Sequence, residues 1–346
     1  MKISILFKFV IGPWGGGNQF LNNLKKAWER QDKYCNNPKD ADFILFNSHH
    51  QFKNVIKLKL KYPQKLFVHR IDGPMSGYRK HNTLLDKLIF LFAKELADGV
   101  VFQSQWSLNK SKILGYTSKS FEKVIHNRSD REIFYPSKVY SSIIKGKIKL
   151  IALSWSSNLK KGFDIYSYLD KNLDFNKYEF TFIGNSPVKF TNIKQLKPMS
   201  PEDISTHLRE SHIMVFASEV ESCSNTIIEG LSCGLPIIYK NDSSNPEIVK
   251  QSGLPFSTGR EAINVISKLM KNYNEYKESI DISSIIQVAD EYYSLFQEIH
   301  DKKVSNLNLS SNINSNFLLK YKALYMLSKL ENKYRLNLTK SKKFVN

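Results

Sequence analysis

Residues 221–236 read ESCSNTIIEGLSCGLP, and this stretch decides the fold of the chain. Its first residues are polar and loop-like, and Ser224–Ser232 then has the apolar spacing of a helix. The apolar runs Ile213–Ala217 and Leu235–Tyr239 flank it, so the local order is strand, helix, strand. Glu221 and Glu229 stand eight positions apart, one in the loop and one inside the helix.

The same alternation of short apolar runs and helical patterns extends along the chain, as in βαβ units. Further strands are predicted at Lys2–Val10, Phe43–Asn47, Leu66–His69, Val100–Gln103, Ile148–Leu153 and Tyr178–Gly184. Their nearly continuous apolar character is typical of parallel strands, which are buried on both faces. The polar stretch Lys138–Lys147 separates two such series. We therefore expect two Rossmann-like α/β domains with parallel sheets that face a central cleft, because ligands sit beyond the carboxyl ends of such strands.

These patterns divide the chain into residues 1–140, residues 141–300 and a tail of residues 301–346. The tail includes Phe317–Leu336, which reads as a basic helix that packs on the protein or lies on a membrane surface. Leu84–Ala97 reads as an amphipathic helix of the core. No run reaches the roughly 18 apolar residues of a spanning helix, and the N-terminus lacks the pattern of a signal peptide.

The positive charge is unevenly distributed. Residues 1–140 carry 24 Lys and Arg against 11 Asp and Glu, residues 141–300 carry 17 against 19, and residues 301–346 carry 10 against 2. Such basic regions fit an anionic partner, including an anionic membrane surface. We expect no nucleic-acid partner, because the chain has no zinc-finger spacing and no RNA-recognition signature. The three cysteines have no metal-ligand spacing and indicate a reduced, cytoplasmic compartment.

The loop and helix at residues 221–232 also predict a chemistry. The free N–H groups at a helix N-terminus and its positive dipole end can hold a diphosphate. A carboxylate in the first turns of the helix, such as Glu229, can accept hydrogen bonds from ribose hydroxyls. A carboxylate in the loop, such as Glu221, can reach the hydroxyls of a sugar. Two glutamates at this spacing are weak support when they are taken alone.

In this context the stretch resembles the E-x7-E motif of the family-4 (group 1) retaining glycosyltransferases, which have the GT-B fold. The segments before and after it, DISTHLRESHIMVFAS and GLPIIYKNDSSNPEIV, fit the same family. The resemblance implies that residues 1–140 bind the acceptor and residues 141–300 the donor. It further implies that Glu229 binds the donor ribose and that Glu221 contacts the transferred sugar as a catalytic residue. The donor-binding residues of the loop would be Ser222, Cys223, Ser224 and Asn225.

A second element is SWSSNLKKGFD, residues 154–164, directly after a strand. It resembles the family segment that ends in Lys-Gly, so Lys161 would stabilise the diphosphate leaving group as a catalytic residue. The arginine usual five positions earlier is absent, and Ser156 stands there. Diphosphate binding would then depend on hydroxyls such as that of Ser156, on Lys160, or on a cation from the other domain.

Two elements of the first domain complete the predicted site. GPWGGG, residues 12–17, is a turn in which Gly15, Gly16 and Gly17 would let the backbone approach the donor, although a plain tight turn explains it too. HRIDGP, residues 69–74, ends a strand. By the resemblance, His69 would touch the donor sugar as a catalytic residue. Arg70 and Asp72 are weaker candidates for the acceptor site.

No bound cofactor or metal ion is expected, and the nucleotide-diphosphate sugar is the donor substrate. Asp40-Ala41-Asp42 has the D-x-D form of a metal site, but it precedes a strand instead of ending one. The resemblance implies hexosyl transfer with retention to a glycan, lipid-linked or other hydroxyl acceptor, in cell-surface polysaccharide or glycoconjugate synthesis. Two alternatives remain open: a non-catalytic, transferase-like subunit that binds a sugar or a partner, and a sugar-nucleotide epimerase. The protein would be cytoplasmic, either free or peripheral at the membrane.

Overall fold

The computed structural model describes residues 1–10, 16–78, 83–118, 120–137, 146–281, 283–305 and 313–343, without the side chains of residues 78 and 332–343. The described residues form two parallel β-sheets with α-helices between successive strands. Contacts divide the chain into two units. Unit 1 comprises residues 1–9, 25–125 and 290–346, and unit 2 comprises residues 10–24 and 126–289.

The first sheet lies in unit 1 and has the strand order β1-β2-β3-β4-β5, with every pairing parallel. The strands are β1 (Ile3–Leu6), β2 (Phe43–Asn47), β3 (Leu66–Ile71), β4 (Gly99–Phe102) and β5 (Phe121–Val124). The second sheet lies in unit 2 and has the order β11-β10-β9-β6-β7-β8, also all parallel. Its strands are β6 (Ile148–Ser154), β7 (Tyr178–Gly184), β8 (Lys194–Leu196), β9 (Ile213–Phe216), β10 (Ile237–Lys240) and β11 (Gly253–Phe256).

Helices connect the strands, as parallel pairing requires. The first five are α1 (Gly16–Arg30), α2 (Phe52–Lys61), α3 (Met75–Tyr78), α4 (Thr83–Glu95) and α5 (Gln105–Ile113). They are followed by α6 (Phe163–Asn172), α7 (Pro201–Glu210), α8 (Asn225–Ser232), α9 (Asn245–Val249), α10 (Gly259–Lys271), α11 (Tyr273–Glu278), α12 (Ile285–Ser305) and α13 (Ser315–Lys343). The predicted parallel α/β fold is confirmed.

The two units do not follow the chain as consecutive ranges. Helix α1 begins in unit 2 and ends in unit 1, and α12 does the same. The described tail belongs to unit 1, where the Phe317 and Tyr321 rings of α13 pack on Phe92 of α4. Most of the predicted linker lies outside the described residues. Among the described residues, no helix is long and apolar enough to span a membrane.

Unit 1 contains a buried cluster of three charges. The Asp98 carboxylate, just before β4, accepts hydrogen bonds from Lys59 Nζ at 3.3 Å and from the backbone N–H of Phe67 at 2.7 Å. Lys303 of α12 donates to its other oxygen. The side chains of Lys59 and Asp98 are only 1% and 4% exposed. Burial lowers the pKa of Lys59, and the Asp98 charge opposes this effect. Among the described residues, this carboxylate is the acidic partner of both ammonium groups.

We expect Asp98→Asn to lower the free energy of unfolding by about 3 kcal/mol, because loss of one charge leaves buried charges uncompensated. The matched control is Asp290→Asn, which removes a partly exposed partner of Lys33 and should cost less than about 1 kcal/mol. Urea unfolding of both variants measures the difference. Equal losses in the two variants would contradict the buried-charge account.

Candidate functional site

The candidate site of unit 2 lies where the order of its strands reverses. From β6 the chain continues to β7 and β8 on one side of the sheet, whereas β9, β10 and β11 lie on the other side. The carboxyl ends of β6 and β9 are therefore neighbours at a topological switch point, where open α/β sheets bind ligands. The two loops that begin there carry the predicted residues of the donor site.

The loop after β6 holds Lys160 and Lys161 in one turn of 3₁₀-helix, Leu159–Lys161. The turn begins at Asn158, whose side chain accepts a hydrogen bond from the Lys160 N–H, and it ends at Gly162, which has a φ of 78°. A Cβ at Gly162 would collide with the carbonyl of Ala217, at the end of β9. Glycine is therefore required here both by its left-handed backbone and by the close approach of the two loops.

The loop after β9 places Glu221 against Lys161, with Lys161 Nζ 2.6 Å from Glu221 Oε1. Both side chains are mostly buried. The preceding Val220 has a φ of 59°, which is a strained conformation for a β-branched residue. The loop after β10 supports it, because Asp242 accepts from the Val220 N–H at 2.7 Å and the Ser243 hydroxyl accepts from the Glu221 N–H at 2.8 Å. Strain of this kind is concentrated at functional sites.

Helix α8 begins directly after this loop. Its N-cap is Ser224, whose hydroxyl accepts a hydrogen bond from the Ile227 N–H. Ser222 is half-buried in the loop. Cys223 is buried against the Asn127 turn, since its carbonyl accepts from Asn127 Nδ2 at 3.3 Å. The Ser224 and Cys223 side chains are already engaged or buried by these contacts. The backbone N–H groups at the N-terminus of α8 are therefore better suited to hold an anion than these two side chains are.

Glu229 lies one turn further along α8 and is buried. Gln19 of α1 donates a hydrogen bond from Nε2 to Glu229 Oε1 at 3.0 Å. Burial raises the pKa of Glu229 to about 8, and this hydrogen bond opposes the rise. The carboxyl group is therefore mostly protonated at neutral pH.

The glycine turn meets the same helix. Asn225 donates from Nδ2 to the carbonyl of Gly16 at 2.9 Å and accepts from Asn127 Nδ2 at 2.9 Å. Gly17 continues the first turn of α1. Gly15 lies outside the described residues. Ser156 accepts a hydrogen bond from the Asn158 N–H at 3.2 Å, so its hydroxyl supports the 3₁₀-turn.

Two further residues of this site, Gln19 and Arg128, were not predicted from the sequence. The Nε of Arg128 is buried with no hydrogen-bond partner among the described residues. A small cavity beside α8 is lined by Gln19, Phe20, Asn23, Arg128, Ser129, Asn225, Ile228 and Glu229. Arg128 stands in the segment NRSD, residues 127–130, and a cation in this turn is the sequence signal that could have indicated it.

In unit 1, the predicted His69 is fully buried in β3. Its ring stacks on Phe46 with centroids 4.2 Å apart, and its Nε2–H donates to the Ser48 carbonyl at 2.9 Å. Burial lowers the pKa of His69 to about 4, so the ring is neutral at physiological pH. Contact with a sugar hydroxyl would require this enclosed side chain to become accessible.

Arg70 and Asp72 lie together at the carboxyl end of β3. The buried Arg70 donates to Asp72 and, at 2.7 Å, to Asn47 Oδ1. Asp72 also accepts from Asn47 Nδ2 at 2.7 Å and from Gln103 Nε2 at 2.6 Å, and its side chain is 29% exposed. Asn47 and Gln103 were not predicted, although each is a polar residue at or directly after the end of a buried strand. The Arg70 charge is offset within unit 1, and Asp72 is the accessible end of this network.

Among the described residues, no group of three His, Cys, Asp or Glu side chains is arranged to hold a metal ion. In the Asp40-Ala41-Asp42 segment, Asp42 accepts a hydrogen bond from the backbone N–H of Lys2 at 2.7 Å. The three cysteines are free thiols.

Part of the chain matches a known protein family. Residues 189–282, about a quarter of the chain, match the sequence profile of the family described as "Glycosyl transferases group 1". The predicted resemblance to the group 1 glycosyltransferases is confirmed. The matched segment includes β9, the Glu221 loop and α8.

Solved glycosyltransferases share the fold at low sequence identity. Sucrose-phosphate synthase from Thermosynechococcus elongatus superposes with a TM-score of 0.67 at 12% identity, over 87% of this chain and 100% of that chain. HepE from Anabaena, in complex with UDP and glucose, gives a TM-score of 0.67 at 14% identity, over 86% and 99% of the two chains. These likenesses confirm the GT-B fold.

A curated relative is "Uncharacterized protein 356" of Sulfolobus islandicus rod-shaped virus 1, which is 24% identical over 232 residues. The alignment covers 55% of this chain, and the chain spans 64% of that protein.

We expect Gly162→Ala to lower the free energy of unfolding by about 2 kcal/mol more than Gly115→Ala. Both glycines have a positive φ, but a Cβ at Gly115 meets no atom within 4 Å. The Gly115→Ala control therefore measures the backbone strain alone, about 1 kcal/mol, and the extra loss in Gly162→Ala measures the collision with Ala217. Urea unfolding measures both variants, and indistinguishable losses would show that the loops do not need this close approach.

We expect Glu229→Gln to stabilise the protein more at pH 8.5 than at pH 5, by a few kcal/mol, since one pKa unit corresponds to about 1.4 kcal/mol. Because the folded-state pKa is raised from 4.5 to about 8, the folded state binds more protons than the unfolded state between these values. The stability of the wild type therefore decreases as pH rises through this window.

Denaturant unfolding at the two pH values measures the effect. Glu202→Gln, an exposed substitution on α7, is the control and should behave as the wild type. A pH-independent difference between wild type and Glu229→Gln would mean that Glu229 is ionised throughout.

Proposed function

We propose that the chain is a glycosyltransferase that takes a glycosyl group from a nucleotide-diphosphate sugar bound by unit 2. The observation that supports this most is the meeting of Lys161 and Glu221 at the switch point, next to the N-terminus of α8. An ammonium group, a helix N-terminus and a hydroxyl-binding carboxylate are what a sugar joined to a diphosphate requires. The match to the group 1 family covers Glu221 and α8, and Lys161 lies before the matched residues.

For the donor we propose a UDP-hexose, to be tested against other nucleotides. HepE, which shares the fold, was solved with UDP and glucose. In this proposal the α8 N-terminus, from Ser222 to Asn225, holds the diphosphate, and Glu229 accepts hydrogen bonds from the ribose. Lys160 and Lys161 then neutralise the charge of the leaving nucleotide, because cations positioned there lower the energy of the transition state.

Lys161 and Glu221 contact each other in the free protein, and in this proposal both exchange this contact for contacts with the donor when it binds. Lys161 would turn to the diphosphate, and Glu221 would accept hydrogen bonds from the transferred sugar. We propose retention at the anomeric carbon, with a phosphate oxygen of the leaving group taking the proton of the attacking hydroxyl. The protein then acts by positioning its substrates and by stabilising the diphosphate.

Glu229 links donor binding to proton release. Hydrogen bonds from ribose hydroxyls favour the ionised carboxylate, whereas burial favours the protonated form. Binding would therefore lower the pKa of Glu229 from about 8 and release a proton near neutral pH. Nucleotide affinity should then increase as pH rises towards 8.

The acceptor in this proposal is a glycan or a lipid-linked hydroxyl compound, and the pathway is the synthesis of a cell-surface polysaccharide or glycoconjugate. We propose a cytoplasmic enzyme without a resident metal or cofactor. His69, Arg70 and Asp72 stay proposed residues of unit 1, with Asp72 as the accessible one.

A non-catalytic, transferase-like subunit is the second candidate. It is favoured by Ser156, which stands where the group 1 enzymes usually have an arginine. Arg128 is a cation in the cavity that also includes Glu229 and Asn225, and it is a candidate to replace the missing charge.

Calorimetry with UDP, GDP, ADP and their hexose derivatives tests the donor. We expect one nucleotide to bind the wild type, with affinity reduced at least tenfold in Glu229→Ala because ribose contacts are lost. Glu202→Ala is the matched control, since it removes an exposed carboxylate of the same unit. A ligand that binds the folded state also raises the melting temperature, which gives a second readout.

A turnover assay with donor and acceptor distinguishes the candidate functions. A transferase releases the nucleoside diphosphate when an acceptor is present, and Lys161→Ala should slow this release more than it weakens binding. Binding without release would favour the non-catalytic subunit. Conversion of one sugar nucleotide into its epimer would favour the epimerase. Absence of binding across the whole panel would contradict the proposed function.

A further inference from the structure

Helix α13 has two apolar faces, and only one of them packs against the part of the protein that the structure describes. Phe317, Tyr321 and Ser328 are buried, and the two rings pack on Phe92 of α4. On the opposite face, three large apolar side chains are exposed: Leu319 at 67%, Met326 at 65% and Leu330 at 60%. Packing on the core of unit 1 therefore explains why one face of this helix is apolar, and it does not explain the other apolar face.

The exposed side chains form a continuous stripe. Positions 319, 326 and 330 are separated by seven and four residues, which places them on one side of an α-helix. At about 100° per residue, Lys322 and Lys329 lie along one edge of this stripe and Lys320 lies along the other. All three lysines are exposed. An apolar stripe between rows of lysines is the pattern of a helix that lies in a membrane interface.

A second basic helix, α2, lies beside α13. Lys53 Nζ lies 5.7 Å from the ring centroid of Tyr325, so the two helices are neighbours within unit 1. The outer face of α2 presents Lys53, Lys57, Leu60 and Lys61, and Leu60 is 57% exposed. Helix α2 contains no acidic residue. We call the exposed side chains of the two helices the α2–α13 face.

From this face we infer that unit 1 binds the surface of an anionic lipid bilayer. The leucines and the methionine would enter the boundary between headgroups and acyl chains, and the lysines would contact anionic headgroups. A second copy of the chain is disfavoured as the occupant because it would bring two lysine-rich faces together. Nucleic acid is disfavoured because the centre of the face is aliphatic, whereas single strands stack on aromatic side chains and duplexes need polar contacts.

The inference does not depend on the transfer reaction, because membrane binding can be measured without donor or acceptor. Sedimentation of the full chain with vesicles provides the test, using phosphatidylcholine alone or with about one third phosphatidylglycerol. We expect binding to the anionic vesicles, at least tenfold tighter than to the neutral ones, and weaker binding at high salt.

Two pairs of substitutions test the two parts of the face. Lys53→Glu with Lys57→Glu should reduce binding to anionic vesicles at least tenfold, because both charges are reversed. Leu319→Ser with Leu330→Ser should reduce it to a similar extent while leaving the net charge unchanged. The matched control is Lys268→Glu with Lys271→Glu on α10, which makes the same charge change in unit 2 and should bind as the wild type. Circular dichroism and thermal unfolding confirm that each variant is folded.

Several results would overturn the inference. Equal affinity for neutral and anionic vesicles, or no affinity for either, would exclude recognition of an anionic surface. Equal losses in the α10 control would mean that net charge, and not this face, drives binding. If the leucine pair retains full vesicle binding, the apolar stripe is not inserted. A wild-type dimer that the leucine pair converts to a monomer would assign the face to self-association instead.

Discussion

The parallel pairing of β6 with β9 is the constraint on which the candidate site of unit 2 depends. These strands are far apart in the chain, and their pairing brings two loops to one edge of the sheet. The loops then approach so closely that Gly162 has no room for a side chain beside the Ala217 carbonyl. The 2.6 Å contact between Lys161 and Glu221 follows from this geometry and from the support that Asp242 and Ser243 give to the loop.

A second constraint is the burial of Glu229 in α8. Glu229 has its carboxyl group inside the protein with Gln19 as its hydrogen-bond donor, and burial makes the proton hard to lose. The same helix offers the positive end of its dipole at Ser224 and Asn225. One short helix thus carries both the positive end of a helix dipole and a buried carboxyl group whose pKa is raised to about 8. In unit 1, by contrast, the buried Asp98 carboxylate accepts hydrogen bonds from two ammonium groups, those of Lys59 and Lys303.

Much of the fold could be predicted because parallel strands in the centre of a sheet are apolar on both faces. Phe43–Asn47 and Tyr178–Gly184 were predicted with the observed bounds. Strands β5, β8 and β11 were not predicted, since each lies at the edge of its sheet and has weaker patterning. Strand β8 has three residues, and β11 contains Pro255, which an edge strand tolerates. Helix α12 was also missed, and it passes from unit 2 into unit 1, so consecutive ranges describe the two units poorly.

The amino-acid sequence by itself determined the parallel α/β class and the group 1 resemblance, and it selected Lys161, Glu221 and Glu229 as candidate site residues, because these depend on local periodicity and short motifs. Only the tertiary structure decided which groups meet. Gln19 and Arg128 join the cavity of Glu229 through contacts between distant parts of the chain, which no local pattern encodes. Burial also decided that the His69 ring is neutral, because a ring inside β3 loses the solvation of its charged form. The protonation state of a side chain and the groups it contacts depend on packing in three dimensions. Residue type and spacing alone therefore do not determine them.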